Sequence, residues 1–177
     1  MILIDAAAEY DMYAADITRS FPANGKFSEA QKAIYEVVLK AQKSVIEAAK
    51  PGVAYQDLHD LDLRLLVEGM IEIGLLDGTA DEVIESASYQ EYFMHKTGHW
   101  LGLDVHDMGN YMAEGESITL KPDMVFTVEP GIYVNSKSKA PAKFLGIGIR
   151  IEDDILITES GNKNLTAAVP KEISEIE

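Results

Sequence analysis

The sequence predicts an α+β fold, because its strands and helices come in blocks and do not alternate along the chain. Strand-like segments come first, amphipathic helices fill the middle, and a β-rich region with alternating apolar residues ends the chain. A length of 177 residues suits one domain with a sizeable core. We therefore predict one α+β domain without internal repeats.

The composition narrows the possible partners. Fifteen basic residues against 30 acidic ones give a formal net charge of −15, which argues against a nucleic acid or an anionic membrane as partner. The absence of cysteine excludes disulfides and thiolate metal sites, and it fits a reducing cytoplasm. No stretch approaches the length of a membrane span. We expect a cytoplasmic protein that binds neither nucleic acid nor membrane.

The first block is predicted to be two strands. Residues Ile2 to Ile4 are typical of a buried strand, and a second strand is predicted from Met12 to Phe21. The first strand begins at the first residue without a preceding cap, which suggests a chain cut from a longer polypeptide or a gene model that starts late. In the longer protein we expect this strand to be covered, and without that cover its apolar surface and edge should be exposed. A loop over residues 22–25 ends the block.

Two aspartates fall within these strands. A hairpin centred between Tyr10 and Asp11 would place Asp5 opposite Asp16. Carboxylates that face each other repel unless a cation lies between them. Two acids on a solvent face would be the ordinary explanation, but apolar neighbours on both strands favour burial, and buried carboxylates are normally paired or bound to a metal.

Three helices are predicted in the middle of the chain. Ser28 is a suitable N-cap for a helix that ends near Lys50, where Pro51 and Gly52 interrupt the pattern. A second helix is predicted over residues 56–73 with Gly74 as its C-terminal cap, and a weaker one over residues 81–88.

The last block repeats the pattern of acids within apolar strands. Strands are predicted over residues 124–134 and 146–158, and they contain Glu129 and Glu152. A salt bridge, for which Arg150 is the nearest candidate, is the ordinary explanation of either acid alone. Together with the two aspartates, however, four carboxylates in apolar strands indicate a cation site.

Histidines are concentrated in one segment. Three of the four fall within twelve residues: His95, His99 and His106. Gly98 and Gly102 permit close backbone approach and favour a shaped loop there. His59 stands alone on the polar side of its predicted helix, so we interpret it as an ordinary surface or core histidine.

The combined donor set predicts a dinuclear metal site. Four carboxylates and one imidazole are hard ligands that suit Mn²⁺, Co²⁺ or Zn²⁺. Five ligands exceed what one catalytic ion needs, and carboxylates can bridge, so two cations are expected. Such pairs generate a hydroxide for hydrolysis.

Several motifs together resemble the aminopeptidase P and prolidase branch of the pita-bread metallopeptidase family. They are the aspartate pair, H-W-L-G-L-D-V-H-D, V-E-P-G-I-Y and G-I-R-I-E-D-D. The resemblance implies that five residues bind two metal ions: Asp5, Asp16, His99, Glu129 and Glu152. Of these, Asp16 and Glu152 would bridge the two ions. It also implies that His95 and His106 contact the substrate, and we count Glu129 and Arg150 with them as catalytic.

The H-x-T-G-H-W-L-G segment is closer to aminopeptidase P than to prolidase, because no proline precedes His95 and Trp100 replaces an expected Phe. The resemblance implies a pita-bread fold that lacks its opening helix and strands, with residues 1–177 forming part of the catalytic domain. It also implies an enzyme that hydrolyses Xaa-Pro peptide bonds with a metal-bridging hydroxide. A homo-oligomer is expected for a different reason, because the uncovered first strand invites self-association. A prolidase and a non-catalytic protein-binding module are the alternatives.

Overall fold

A computed structural model describes all 177 residues and confirms a mixed α and β architecture. The helices are α1 (Glu29–Ala48), α2 (Tyr55–Glu72), α3 (Ala80–Glu85) and α4 (Ile173–Ile176). The strands are β1 (Ile2–Asp5), β2 (Thr18–Phe21), β3 (Met112–Ala113), β4 (Glu116–Ser117), β5 (Val125–Val128), β6 (Gly131–Tyr133), β7 (Gly148–Arg150), β8 (Asp153–Ile157) and β9 (Asn162–Asn164). Short 3₁₀ turns cover Ser88–Glu91 and Ala142–Phe144.

The two long helices agree with the sequence prediction. The Ser28 side chain caps α1 by accepting from the backbone N–H of Gln31, whose own side chain bonds back to Ser28. Gly74 follows α2 with a φ of +76°, and the N–H of Leu75 donates to the carbonyl of Met70. This is the helix ending that glycine favours. Helix α3 is shorter than predicted, because Ala87 adopts a left-handed φ of 54°.

The first hairpin differs from the predicted register. Asp5 pairs with Thr18, so it does not face Asp16. The residues at the tip, Asp11 and Met12, both have positive φ, which is the conformation of a tight hairpin turn. The turn therefore lies one residue further along than predicted, and only the last four residues of the predicted second strand form β2.

Residues Ile2 to Ile4 form a strand as predicted, and within these 177 residues the strand is exposed, as expected for a strand without its cover. Strand β1 pairs with β2 alone, and its three apolar side chains are 37–48 % exposed. A strand with one neighbour leaves its other edge and part of its side chains open to solvent.

The two C-terminal strand regions are each divided in two. β5, β8 and β9 form one antiparallel sheet, whereas β6 and β7 form a separate pair. Helices α1 and α2 pack with β6 and β7 around a core of 20 buried residues. A second core of nine buried residues contains Trp100, Phe126 and Ile155 and lies under β5 and β8. No helix has the length and apolar character that crossing a membrane requires.

Candidate metal centre

Two carboxylates face each other where a pair of antiparallel strands opens. The β5–β8 pair and the β6–β7 pair continue in the same register, so Glu129 lies opposite Glu152 between them. Pro130 has no N–H to continue the ladder. The N–H of Glu129 donates to the carbonyl of Thr97 at 2.7 Å, and that of Glu152 to the carbonyl of Thr18 at 3.0 Å. Both amides are thus bonded outside the ladder, and the strands separate around the two acids.

His99 lies among the carboxylates. Its Nε2 is 3.3 Å from Asp16 Oδ2. The same atom is 3.5 Å from Glu129 Oε1 and 4.0 Å from Glu152 Oε1. On the other side of the ring, Nδ1 is 3.0 Å from the carbonyl oxygen of Trp100. A carbonyl can only accept, so Nδ1 carries a proton and Nε2 is directed at the acids.

The crowded acids shift one another's ionisation. Burial, reinforced by Glu129, raises the pKa of Glu152 to about 8. Burial also raises the pKa of Glu129. Burial alone would lower the pKa of His99, but its bond to Asp16 and the nearby carboxylates outweigh that and raise it to about 9. The same contact lowers the pKa of Asp16 against the effect of burial. The cluster therefore holds protons tightly when nothing else offsets its charge.

The donor chemistry fits a divalent cation. Single donor atoms of Asp16, His99 and Glu152 all lie within 4.8 Å of one another. Asp16 and Glu152 are buried, and buried carboxylates are stable when a metal or a proton compensates their charge. Oxygen donors with one imidazole are the ligands that Mn²⁺, Co²⁺ and Zn²⁺ accept.

Asp5 lies at the edge of this cluster. Its side chain is 46 % exposed and accepts a hydrogen bond from Arg150 Nη2 at 2.5 Å. Burial and the neighbouring Asp16 carboxyl raise the pKa of Asp5. Arg150 Nε is further from the glutamates, at 3.8 Å from Glu129 and 3.9 Å from Glu152. Arg150 therefore pairs with Asp5 more closely than with the acids of its own strand region.

His95 is held by its backbone and by a tyrosine. Its Nδ1 is 2.7 Å from the carbonyl of Lys96, and its Nε2 is 2.8 Å from the hydroxyl of Tyr133. Nδ1 therefore donates, and Nε2 accepts from the tyrosine. Burial lowers the pKa of His95. Arg150 Nη1 lies 3.4 Å from the same hydroxyl, so Tyr133 connects the histidine to the arginine.

His106 is exposed and packs edge-on against His99, with ring centroids 4.2 Å apart. Both rings line a cavity of about 900 Å³ that also contains His95 and Arg150. The structure thus gathers every residue that the sequence singled out for the site around one open cavity.

Three consecutive acids occupy residues 152–154, just after β7 and at the start of β8, and only the first of them faces the cluster. Glu152 does so, whereas the buried Asp153 is paired with Arg19 at 2.7 Å and with Lys171. The Asp154 carboxylate accepts the backbone N–H of Asp16 at 3.1 Å. Asp153 and Asp154 therefore do not face the cluster and instead hold neighbouring residues in place.

Sequence analysis missed three residues of the site. Thr18 donates to Glu152, and Tyr133 bonds to His95. The two-residue periodicity of strands could have indicated both, because Thr18 shares a strand face with Asp16 and Tyr133 shares one with Glu129. The third residue is His59, which sequence analysis interpreted as an ordinary surface or core histidine. It is half-buried and lines the cavity, because Thr97 holds its ring inward at 2.8 Å.

Residues 1–159 match metallopeptidase family M24, and the chain belongs to that family. It is 52 % identical over 177 residues to the Xaa-Pro aminopeptidase of Haemophilus influenzae, covering all of this chain and 41 % of that protein. The Xaa-Pro aminopeptidase of Escherichia coli is 48 % identical over the same length, of which the chain covers 40 %. The chain thus spans about two fifths of the length of these relatives.

Solved structures confirm the pita-bread class of fold. Aminopeptidase PepP of Pseudomonas aeruginosa superposes with a TM-score of 0.96 at 48 % identity, covering 98 % of this chain and 40 % of that one. E. coli aminopeptidase P, at the same identity, gives 0.94 both with the inhibitor Pro-Leu and in a zinc-substituted form with product, each covering 98 % of this chain and 39 % of that one. The predicted resemblance to aminopeptidase P is confirmed.

Proposed function

We propose that the protein is a metal-dependent aminopeptidase that removes the first residue of peptides whose second residue is proline. One observation carries the proposal. The carboxylates of Asp16, Glu129 and Glu152 converge on His99 within an open cavity. The relatives described above are named Xaa-Pro aminopeptidases, which supports the choice of substrate.

Two divalent cations are proposed to bind here, and five residues would hold them: Asp5, Asp16, His99, Glu129 and Glu152. Mn²⁺ is the first choice, followed by Co²⁺ and Zn²⁺, because carboxylate-rich sites favour hard ions. Bound in this way, the cations would supply a hydroxide nucleophile at neutral pH and polarise the scissile carbonyl.

The chain's own groups would handle protons and charge. Burial raises the pKa of Glu129, which suits it to take up a proton and to pass it to the departing proline nitrogen. His106 flanks the cluster and would stabilise the negative charge that develops on the carbonyl oxygen. The same role was expected of His95, but both of its ring nitrogens are bonded to Lys96 and Tyr133, so we assign it the positioning of the Tyr133 hydroxyl. Arg150 would hold Asp5 in position through its 2.5 Å contact.

The site also suits the amino-terminal end of the substrate. The positively charged amino terminus of a peptide would lie near Asp5, where an acidic surface attracts it. The bond before proline lacks the N–H that sites for ordinary peptide bonds recognise. We therefore expect no comparable cleavage before other residues.

The test uses the longest natural polypeptide that contains these 177 residues, purified free of metal and then given Mn²⁺. We expect cleavage of Xaa-Pro-Yaa tripeptides and none of matched Xaa-Ala-Yaa peptides. The control variant Gly161→Ala should stay active, whereas His99→Ala should be inactive. Cleavage of Xaa-Pro dipeptides alone would indicate a prolidase, and no cleavage of any proline peptide would overturn the proposal.

A further inference from the structure

Helix α2 buries a carboxylate without a positive partner. Asp62 is completely buried, and its only hydrogen bond is accepted by Oδ2 from the hydroxyl of Thr97 at 2.7 Å. Oδ1 has no partner. Burial raises the pKa of Asp62 to about 7. Burial of an unpaired carboxylate is costly, so its retention within a core helix calls for a role.

The single hydrogen bond of Asp62 determines the proton positions on a histidine. Above pH 7, where Asp62 is ionised and can only accept, Thr97 donates its single hydroxyl proton to Asp62. The other contact of this hydroxyl, with His59 Nδ1 at 2.8 Å, must then be one that it accepts. Nδ1 of His59 therefore carries a proton. Burial, reinforced by Lys96, lowers the pKa of His59, so the ring is neutral at neutral pH and Nε2 has a free lone pair.

His59 lines the site cavity and is linked to Asp5 by a series of contacts. From Asp5 a series of contacts runs through Arg150 and Tyr133 to His95. The ring of Phe93 then packs between two histidines, with its centroid 4.9 Å from that of His95 and 6.2 Å from that of His59. Asp5 and His59 are thus connected by one series of contacting side chains, and both line the same cavity.

We propose that His59 is a further substrate-binding residue, whose Nε2 accepts a hydrogen bond from the first backbone N–H after the proline. Thr97 and Asp62 are positioning residues that fix its tautomer. The inference rests on the proposed function, in which the amino terminus lies near Asp5. Proline contributes no N–H, so the amide of the third residue is the first backbone donor that a peptide extending toward His59 presents.

A purely structural role for Asp62 predicts something different. Thr97 also accepts the Glu129 N–H through its carbonyl, so its side-chain bond to Asp62 would in that case only anchor the loop. Loss of the anchor would weaken the binding of all ligands equally. A role through His59 instead affects only ligands that carry the amide N–H.

The tautomer is tested first, because it does not depend on activity or metal. Nitrogen-15 NMR of the histidine rings should show His59 neutral, with its proton on Nδ1. The Thr97→Ser variant should keep this pattern, and Thr97→Val should lose it. A wild-type His59 with its proton on Nε2 would overturn the assignment of both positioning residues.

Ligand binding is tested second, on the Mn²⁺-loaded longest natural polypeptide. Calorimetry compares the dipeptide Pro-Leu with an ester analogue in which oxygen replaces the leucine N–H. The amide should bind about threefold to tenfold more tightly, the range of one neutral hydrogen bond. His59→Ala and Thr97→Val should remove the preference, whereas Thr97→Ser and the control Glu72→Gln, at an exposed position of the same helix, should keep it.

Failure of the two proposals gives different results. If both ligands bind and His59→Ala leaves their ratio unchanged, the role of His59 is refuted while the proposed function stands. If neither ligand binds and no Xaa-Pro peptide is cleaved, the proposed function fails and the substrate contact of His59 fails with it.

Discussion

Glu129 and Glu152 are opposed across the opening that separates the β5–β8 pair from the β6–β7 pair. Directly opposed like charges destabilise a sheet. The effect is increased here because both side chains are largely buried, with exposures of 16 % and 2 %. A proton or a cation has to offset this repulsion.

Removal of metal should therefore destabilise the protein. A chelator is expected to lower the melting temperature, and Mn²⁺ should restore it, adding about 2.7 kcal/mol to the free energy of unfolding at 100 times its Kd. Scanning calorimetry with and without metal provides the measurement. His99→Ala should melt at the same temperature in both conditions; equal melting of the wild-type protein would refute the metal site.

Burial of Asp62 should make the free energy of unfolding depend on pH, with a sign that follows from its raised pKa. Its pKa rises from 3.8 to about 7 on folding, so folding takes up a proton between these values. Its contribution to stability is complete below pH 3.8 and is lost as the pH rises toward 7, by at most about 4 kcal/mol. Asp62→Asn should flatten the curve of unfolding free energy against pH in urea titrations. Asp77→Asn, at an exposed loop position, should leave the slope unchanged.

Tyr133 should matter for turnover more than for folding. Tyr133→Phe removes the hydroxyl that contacts His95 Nε2 and Arg150 Nη1. We expect kcat/KM for an Xaa-Pro tripeptide to fall about tenfold, the effect of one or two hydrogen bonds, with a small change in melting temperature. Tyr10→Phe, at an exposed turn residue, is the control. Unchanged kinetics would show that His95 needs no such support.

Gly98 allows the histidine segment to approach β5. A Cβ atom at this position would lie 1.8 Å from the carbonyl oxygen of Thr127, which belongs to the backbone and cannot rotate away. Gly98→Ala should therefore cost about 3 kcal/mol of unfolding free energy, as overpacking does. Gly161→Ala meets no atom within 4 Å and serves as the control. Equal stability of the two variants in urea would contradict the close approach.

The free edge of β1 should promote self-association. Ile2, Leu3 and Ile4 are each more than a third exposed, and only β2 pairs with the strand. We expect the 177-residue chain to form oligomers through this edge. Light scattering at several concentrations should detect them, and Ile4→Lys should shift the distribution toward the monomer. A monomer at all concentrations would exclude this edge as an interface.

Sequence patterns predicted the main elements because helix caps and apolar periodicity are local. Ser28 and Gly74 identified helix ends correctly, and the acids within apolar strands pointed to the region of the site. The register of the first hairpin was wrong by two residues, since Asp5 pairs with Thr18 and not Asp16, because the backbone angles at Asp11 and Met12 decide where the chain turns. The apolar run of Ile2 to Ile4 could not by itself show whether the strand is buried, since burial depends on which element covers a strand.

The inward position of His59 depends on packing of the complete fold. Its partner Thr97 lies 38 residues away in the chain, and no local pattern relates the two. The role of Tyr133 differs, because its position four residues after Glu129 in a strand-like segment already placed the two on one face.

The opening between the β5–β8 pair and the β6–β7 pair brings distant segments of the chain together at the candidate site. The amide of Glu129 is held by the loop that carries Thr97, and the amide of Glu152 by the hairpin strand that begins at Thr18. Each glutamate is thus fixed by a segment far from it in sequence. The exchange of these two amide hydrogens with solvent consequently reports whether the loop and the hairpin are docked at the same time.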